Sequence, residues 1–482
     1  MKERKNEMSS KRKTLFLFRA DELKFIRTLL EDLLDEKPIE KPIQYYYGVP
    51  RVGKTSLLHK IKNLAIDELG VPTASIDFDP EKRIFEKPIQ DRYQGEAAIF
   101  NLIFDLSKQL KITSSQSFDP ADSEKVIRDF LDNLGSTQKL SRKPLMLLFD
   151  TLEDVDATIF KRFQNSVLVP LLENRNILVI FAARAQIGEL PISFDWPLRR
   201  QLKTHQLRPF SLDESDEHVK KLSEELGKPI SKSRDLFYST NGIPGLNEYV
   251  MYNPNNGSGN HLKRIVEDVI LERAPEAEKN VLTTIAVCRL FDTELLAYLV
   301  ENLGLPVFDE KGQTSGTNLL LRLLDTTLVE QRSDGTGYMV VGDIRRLVYD
   351  YLREVNSLRV LKTHELARQW FEVEVIKGDI VLLVELIYHQ AGIWFNQSTF
   401  KTDSLGVFTP EKIENNDRLQ RLKQIFNKYV ETLKGNPRAP MLTKKIKEQL
   451  SDDEFKWFLT QKEVDSLVEV CDSFQESKSY RI

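Results

Sequence analysis

The stretch Gly48-Val-Pro-Arg-Val-Gly53-Lys54-Thr55-Ser56 lies between an apolar, aromatic run, 43–47, and an apolar helical pattern, 56–61. It matches G-x-x-x-x-G-K-[ST], and its neighbours predict the strand before it and the helix after it that this motif requires. In that setting the backbone N–H groups of the loop and the N-terminus of the helix face a phosphate group. The stretch therefore predicts a loop that binds a nucleoside triphosphate, which we call the P-loop (48–56).

Each residue of the P-loop is a candidate contact for the nucleotide. Lys54 would reach the β- and γ-phosphates and support catalysis, and the Thr55 hydroxyl would hold Mg²⁺. The alternative is a glycine-containing turn that ends in Lys-Thr by chance, and the agreement of motif and setting disfavours it. The complete set of expected contacts in the loop is Gly48, Val49, Pro50, Arg51, Val52, Gly53, Lys54, Thr55 and Ser56.

Apolar runs that alternate with helical patterns predict the sheet around this loop. The runs 144–150 and 177–184 are continuous and typical of parallel strands buried on both faces, while 73–78 and 205–208 predict further strands. Alternating strands and helices predict an α/β fold with a doubly wound parallel sheet, the fold of a P-loop NTPase. The carboxyl ends of its strands meet at one edge, so we expect Lys54, Asp150 and Arg184 to converge there.

Three charged residues near these strand ends are candidates for chemistry. Asp150 ends a buried strand, where it would hold Mg²⁺, although an Asp that caps the next helix is the alternative. Glu153, or else Asp154, would orient the attacking water. Arg184 would stabilise the γ-phosphate, although it would have no such role if it merely pairs with a neighbouring acid. No His pairs with Cys or acidic residues at metal-ligand spacing, so we expect no zinc site.

The chain is long enough for several domains, and its pattern changes after residue 210. Helical patterns follow from 211 onward, and two short strand patterns surround the glycine-rich turn 333–337, as in the wing of a winged helix. We expect a disordered basic tail at 1–14, a P-loop ATPase core at 15–210, a helical lid at 211–258, a winged-helix domain at 259–356 and an α-helical C-terminal region at 357–482.

Composition limits the classes of partner. Of 482 residues, two are cysteines, and the net charge is −4. Isolated thiols suit a reducing compartment, and no apolar run approaches the ~20 residues that span a bilayer, so we expect a cytoplasmic protein without membrane contact. Residues 261–355 contain eleven Lys/Arg and sixteen Asp/Glu, a net charge of −5. DNA binding by the predicted wing is therefore possible but not favoured.

The order of the motifs resembles that of the STAND proteins, signal-transduction ATPases with numerous domains that are related to the AAA+ group. The resemblance covers about residues 15–390. It rests on Phe18-Arg19-Ala-Asp21-Glu22-Leu23, the P-loop, Leu147-Leu-Phe-Asp150-Thr-Leu-Glu153-Asp154, Phe181-Ala-Ala-Arg184, Leu207-Arg-Pro-Phe-Ser-Leu-Asp-Glu214 and Gly242-Ile-Pro244. The chain departs from the family where Phe18 replaces a glycine, and where Val341-Gly342-Asp343 replaces a Met-His-Asp triplet.

The resemblance implies an AAA+/STAND-like fold and adds two nucleotide contacts. Arg19 would lie near the adenine, and Pro244, which by itself predicts only a helix break, would pack on it. ATP or ADP with Mg²⁺ would be the cofactors, and a protein partner or self-association would be expected. The family's ADP-locked resting state depends on that His, which this chain lacks.

These observations together predict an ATP-binding molecular switch that hydrolyses slowly. Nucleotide state would control the docking of domains and the assembly of partners or oligomers. A winged-helix AAA+ ATPase that binds or loads onto DNA is the alternative, and a scaffold that holds nucleotide without turnover is a third reading.

Overall fold

The chain divides into two compact units, Met1–Asn256 and Gly257–Ile482, in the computed structural model. The structure describes residues 16–79, 83–84, 87–88, 98–112, 123–141, 143–173, 176–187, 192–227, 233–252, 261–272, 274–305, 316–332, 335–397, 416–434 and 436–479. The predicted basic tail lies outside these residues. No helix in these ranges combines the length and the apolar character needed to cross a lipid bilayer.

Strands and helices alternate through most of the first unit. The strands are β1 (Ile43–Tyr47), β2 (Thr73–Asp77), β3 (Arg83–Ile84), β4 (Lys87–Pro88), β5 (Leu145–Asp150), β6 (Ile177–Ala183) and β7 (Leu202–Gln206). The helices are α1 (Ala20–Leu34), α2 (Lys54–Asn63), α3 (Ala98–Gln109), α4 (Ser123–Ser141), α5 (Ala157–Phe163), α6 (Val169–Glu173), α7 (Trp196–Arg199), α8 (Leu212–Leu226), α9 (Ser233–Thr240) and α10 (Pro244–Tyr252). One π-helical turn continues α2, and another joins α5 to α6.

Five of these strands form one parallel sheet in the order β2-β5-β6-β1-β7. Every residue of β5 and β6 is buried, so apolar side chains cover both faces of the sheet. One face packs a cluster that includes Leu147, Phe149 and Phe181 with residues of α3, α4 and α5. This confirms the predicted doubly wound parallel sheet of a P-loop NTPase, because two continuous apolar runs became its central strands.

Strand β7 lies at the edge of the sheet and was placed inaccurately by the sequence. The predicted strand at 205–208 is in fact Leu202–Gln206. Its residues are exposed or half-buried, so it lacks the apolar run that identifies a central strand. An edge strand has one free side, and polar residues there are ordinary.

Three helices follow the sheet in the first unit. Helix α8 begins with a capping box, in which Ser211 and Glu214 satisfy each other's backbone N–H groups. The Phe210 N–H donates to the Gly242 carbonyl (2.9 Å), which ties the end of the sheet to the turn before α10. We call residues 211–258, the predicted lid, the lid segment.

The second unit is mainly helical in its described part. Its helices are α11 (His261–Ile265), α12 (Glu276–Ile285), α13 (Thr293–Leu303), α14 (Gly316–Asp325), α15 (Gly342–Lys377), α16 (Leu383–Gln397), α17 (Asn416–Val430), α18 (Ala439–Leu450) and α19 (Gln461–Ser479). Strands β8 (Val329–Gln331) and β9 (Tyr338–Val340) form an antiparallel pair at the predicted wing. Asn356 interrupts α15 with non-helical dihedral angles, and its side chain accepts the Arg359 N–H (3.0 Å).

Buried ion pairs link distant parts of the second unit. The Arg289 side chain, fully buried, pairs with Glu385 on α16 and with Asp452 (3.0 Å) in the turn after α18. Arg345 on α15, also fully buried, pairs with Glu454 and lies over the Trp457 ring. Burial lowers the pKa of each arginine, and the acidic partners more than offset that effect. Both arginines therefore stay charged inside the unit.

Candidate functional site

The carboxyl ends of the parallel strands bring the predicted site residues together. Tyr47, which precedes the P-loop, is level with Ala183, the residue before Arg184. Asp150 ends β5 on the other side of β6. The Lys54 amine lies close enough to Glu153, Arg184 and Asp150 for their charges to act on its pKa. The strand ends therefore bring Lys54, Asp150, Glu153 and Arg184 close together, and the roles assigned to them stay predictions.

The P-loop is held against the sheet by close backbone contacts. The Leu207 N–H donates to the Tyr47 carbonyl (2.7 Å). A Cβ at Gly48 would lie 2.4 Å from the Leu207 carbonyl oxygen, so no larger residue fits this position. Helix α2 begins at Lys54, which places its unpaired N–H groups at the floor of the site.

Lys54 is half-buried, and its amine is held by the loop itself. The Nζ atom donates to the carbonyl oxygens of Gly48 (2.7 Å) and Val49 (3.1 Å). Burial lowers the pKa of Lys54 to about 8, with a further decrease from Arg184, while Glu153 and Asp150 oppose the change. The site thus contains a cation that gains from any added negative charge.

Glu153 and Arg184 are paired with each other. The Arg184 Nε lies 2.9 Å from Glu153 Oε1, and the Arg184 backbone N–H donates to Glu153 Oε2 (3.1 Å). Burial raises the pKa of Glu153, and the charges of Lys54 and Arg184 lower it. This is the acid–arginine pair that the sequence left open as the alternative for Arg184. In this conformation each candidate catalytic group is engaged by the other.

Asp150 is buried beside a second carboxylate that the sequence did not single out. Its Oδ1 accepts the Thr151 N–H (2.9 Å), so Asp150 is held by the next residue. Asp77, level with Asp150 in β2, accepts the Thr151 hydroxyl (2.8 Å). The end of the predicted strand 73–78 was the available signal for Asp77. In the described chain, no group of three or more His, Cys, Asp or Glu side chains forms a complete metal cage.

The available donors nevertheless fit Mg²⁺. This ion commonly takes one or two protein oxygens and fills its other positions with water and substrate phosphates. The Thr55 hydroxyl stands in the first turn of α2, and Asp150 ends a strand of the same edge. When bound, Mg²⁺ would neutralise charge on the β- and γ-phosphates.

The lid segment reaches the P-loop through the start of α10. The Gly245 N–H donates to the Arg51 carbonyl (3.0 Å), and a Cβ at Gly245 would lie 2.8 Å from the Arg51 Cβ. Pro244, the first residue of α10, is buried beside this contact. A glycine is therefore required where the helix meets the loop.

A cavity of about 290 Å³ opens between these parts of the first unit. Its lining comprises Phe16, Leu17, Arg19, Arg51, Val52, Gly53, Lys54, Thr55, Ser56, Phe210, Pro244, Gly245 and Glu248. Seven of the predicted nucleotide contacts in or near the P-loop face this space, and Pro244 faces it from the lid segment. The aromatic Phe16 and Phe210 and the carboxylate of Glu248 were not predicted, because only folding brings them to the loop.

Arg19 holds the rim of the cavity rather than projecting freely into it. Its NH2 donates to the carbonyl oxygens of Val52 (3.3 Å) and Arg208 (2.6 Å). The guanidinium also lies over the Phe210 ring, 5.4 Å from its centroid. Arg19 thus joins the start of α1, the P-loop and the end of β7.

The fold and this loop define a protein with a P-loop NTPase fold. Among solved structures, the chain is similar to Cdc6p from Pyrobaculum aerophilum, with 15% identity, a TM-score of 0.38 and coverage of 70% of this chain and 94% of that chain. It is similar to Drosophila ORC, solved bound to DNA, with 13% identity, a TM-score of 0.34 and coverage of 71% and 95%.

It is also similar to the FIGL-1 AAA domain in complex with ADP, with 15% identity, a TM-score of 0.32 and coverage of 52% and 75%. These values are too low to transfer an activity or a partner to this chain. No family model matches the sequence, and no curated protein matches it.

Proposed function

We propose that the chain is an ATP-binding, slowly hydrolysing molecular switch of the STAND type, related to the AAA+ ATPases. ATP with Mg²⁺ would occupy the cavity, and its state would govern how domains dock and how a protein partner or further copies assemble. The free, buried thiols Cys288 and Cys471 agree with the reducing cytoplasm that the sequence predicts.

One observation carries the proposal: the cavity is lined by both the P-loop and the lid segment. Lys54, Thr55 and Ser56 face it from α2, and Pro244 and Glu248 face it from α10. A ligand that fills this space contacts both parts at once, so its binding energy depends on their arrangement. A ligand shifts a conformational equilibrium only by such a difference in affinity between states.

The pairing of Glu153 with Arg184 suggests how a γ-phosphate would be read. A phosphate near Lys54 would compete with Glu153 for the Arg184 guanidinium, because phosphate accepts a forked pair of hydrogen bonds. Release would leave Glu153 able to accept a proton from water. Without a γ-phosphate the pair between Glu153 and Arg184 would re-form. Because this pair would have to be broken in every catalytic cycle, turnover would be slow.

Replacement of Lys54 tests nucleotide binding. A charge-assisted hydrogen bond contributes about 1.5–3 kcal/mol, so Lys54→Ala should weaken Mg·ATP binding by about 10- to 150-fold in calorimetry. Lys24→Ala is the matched control, since Lys24 is exposed on α1 and does not line the cavity. Equal ATP affinity in Lys54→Ala and the parent protein would disprove the site.

The switch itself needs a separate measurement. Small-angle scattering and size-exclusion chromatography with ADP, and with a non-hydrolysable ATP analogue, should differ in particle dimensions or in mass. Identical profiles at saturating ligand, together with intact binding, would leave a nucleotide-binding scaffold and reject the switch.

The antiparallel pair β8–β9 favours the second candidate, a winged-helix ATPase that binds DNA. Two strands joined by a glycine-containing turn after a helical segment are the form of a wing that can enter a groove. The acidic balance of 261–355 opposes it, because phosphate contacts dominate DNA affinity. A salt-sensitive mobility shift with duplex DNA at physiological ionic strength would favour this candidate.

A further inference from the structure

Arg51 has an unusual backbone conformation for its residue type. Its φ is +66°, in the left-handed region where Cβ crowds the carbonyl oxygen of L-residues and glycine is favoured. The residue lies in the P-loop, three positions before Lys54. Strained positions of this kind persist where the surroundings impose them, and they concentrate at functional sites.

The other basic side chains around the site are engaged by the protein. Lys54 donates to two loop carbonyls, Arg19 donates to Val52 and Arg208, and Arg184 pairs with Glu153. The Arg51 guanidinium, by contrast, has no hydrogen-bond or ion-pair partner within the described residues, and the residue lines the cavity. A glycine at position 51 would remove the backbone strain, yet the chain has an exposed arginine there.

The direction of the Arg51 side chain is set at its base. The Arg51 carbonyl accepts the Gly245 N–H (3.0 Å), and the Arg51 Cβ lies against Gly245, where an added Cβ would approach to 2.8 Å. The backbone of Arg51 is thus fixed between α2 and α10, while its guanidinium remains available to whatever occupies the cavity.

We propose that the Arg51 guanidinium binds the phosphate chain of the nucleotide. Guanidinium groups present a planar fork of donors that matches phosphate oxygens, and no deprotonation weakens them at physiological pH. The contact would join the P-loop to the ligand at the point where the lid segment touches the loop. This inference rests on the proposed nucleotide binding.

Arg51→Gly is a sharp test because it removes the side chain and relieves the backbone. If the Arg51 guanidinium makes no contact with the nucleotide, the glycine variant binds Mg·ATP as tightly as the parent protein or more tightly. If the guanidinium binds phosphate, affinity in calorimetry falls by tenfold or more while the melting temperature stays equal or rises. Arg51→Lys should recover part of the affinity, because it keeps the charge without the fork.

The salt dependence of ATP affinity identifies the group that Arg51 contacts. With a phosphate contact, the slope of log Kd against log NaCl concentration is smaller in Arg51→Gly than in the parent, because one charge interaction is gone. An equal slope would overturn the phosphate assignment, as would unchanged affinity. If the parent protein does not bind ATP, the proposed function itself is wrong. If Lys54→Ala weakens ATP binding and Arg51→Gly does not, only the role of Arg51 is wrong.

Discussion

At the scale of single residues, the environment of the Lys54 amine leads to a prediction about anion binding. Its half-buried amine donates to two carbonyl oxygens, 2.7 and 3.1 Å away. Burial penalises the charged form, which is why the pKa is lowered to about 8. Phosphate oxygens in place of those carbonyls would favour the charged form and raise this pKa again.

This pKa predicts opposite pH effects on binding and on stability. ATP affinity should be highest below about pH 8. It should fall as the pH rises through 8, because Lys54 in the free protein then loses its proton. Between pH 8 and pH 10.5, the ordinary pKa of lysine, Lys54 carries more bound proton in the unfolded chain than in the folded protein. The contribution of Lys54 to the free energy of unfolding therefore rises with pH over this range.

Calorimetry in buffers of different ionisation enthalpy measures the effect on binding. At pH 8 the binding of Mg·ATP should take up protons, and Lys54→Ala should not show this uptake. An affinity that is constant between pH 7 and pH 10 in the parent protein, without proton uptake, would contradict the assignment.

At the scale of elements, the important contact is between the start of α10 and the P-loop. Pro244 is suited to a first helical position, because the N–H that it lacks would have no partner inside the helix. Gly245 then lets the helix approach Arg51 closely enough for a backbone hydrogen bond of 3.0 Å. The lid segment is thus joined to the P-loop by a hydrogen bond between main-chain atoms.

Gly245→Ala should separate these two elements. The added Cβ would meet the Arg51 Cβ at 2.8 Å and the Arg51 carbonyl at 3.0 Å, and overpacking of this kind costs about 1–3 kcal/mol. We expect a lower melting temperature together with weaker Mg·ATP binding. Chemical denaturation and calorimetry on the same preparation measure the two effects.

Gly135→Ala in α4 is the matched control, because a Cβ there meets no atom within 4 Å. Alanine has the higher helix propensity, so this variant should gain up to about 1 kcal/mol and keep its ATP affinity. Equal stability and affinity of Gly245→Ala and the parent would show that the contact is not needed.

At the scale of the whole molecule, the two units are stabilised by different means. The first has a sheet with apolar side chains on both faces. In the second, Glu385 on α16 holds Arg289 from the segment after α12, and both side chains are almost completely buried. A buried pair need not add stability over an apolar core, but a lone buried charge is strongly destabilising.

Glu385→Ala should therefore destabilise the second unit by up to about 3 kcal/mol, less than the loss of a whole buried pair, since Arg289 keeps Asp452 (3.0 Å) as an ion-pair partner. Urea unfolding followed by tryptophan fluorescence reports mainly this unit, which contains Trp370, Trp394 and Trp457. Glu431→Ala removes an exposed ion pair with Lys434 and should change stability by no more than about 0.5 kcal/mol. A similar small effect in both variants would contradict the role of the buried pair.

The sequence by itself determined the sheet and the loop. The P-loop is contiguous, so its spacing alone identifies Lys54 and Thr55, and the apolar runs ending at Asp150 and near Arg184 identify the central strands. Local pattern was weaker at β7, where exposed side chains give no apolar run. The roles assigned to the site residues and the domain boundaries remain predictions.

Only the tertiary structure decided which side chains meet. Sequence could not show that Glu153 is bound to Arg184, or that the Arg51 guanidinium is unpaired within the described residues while Arg19 is engaged. Nor could it show that the backbone of Gly245 packs directly against Arg51. Periodicity reports the environment of one residue along its own element, whereas these contacts depend on the crossing of elements far apart in the chain.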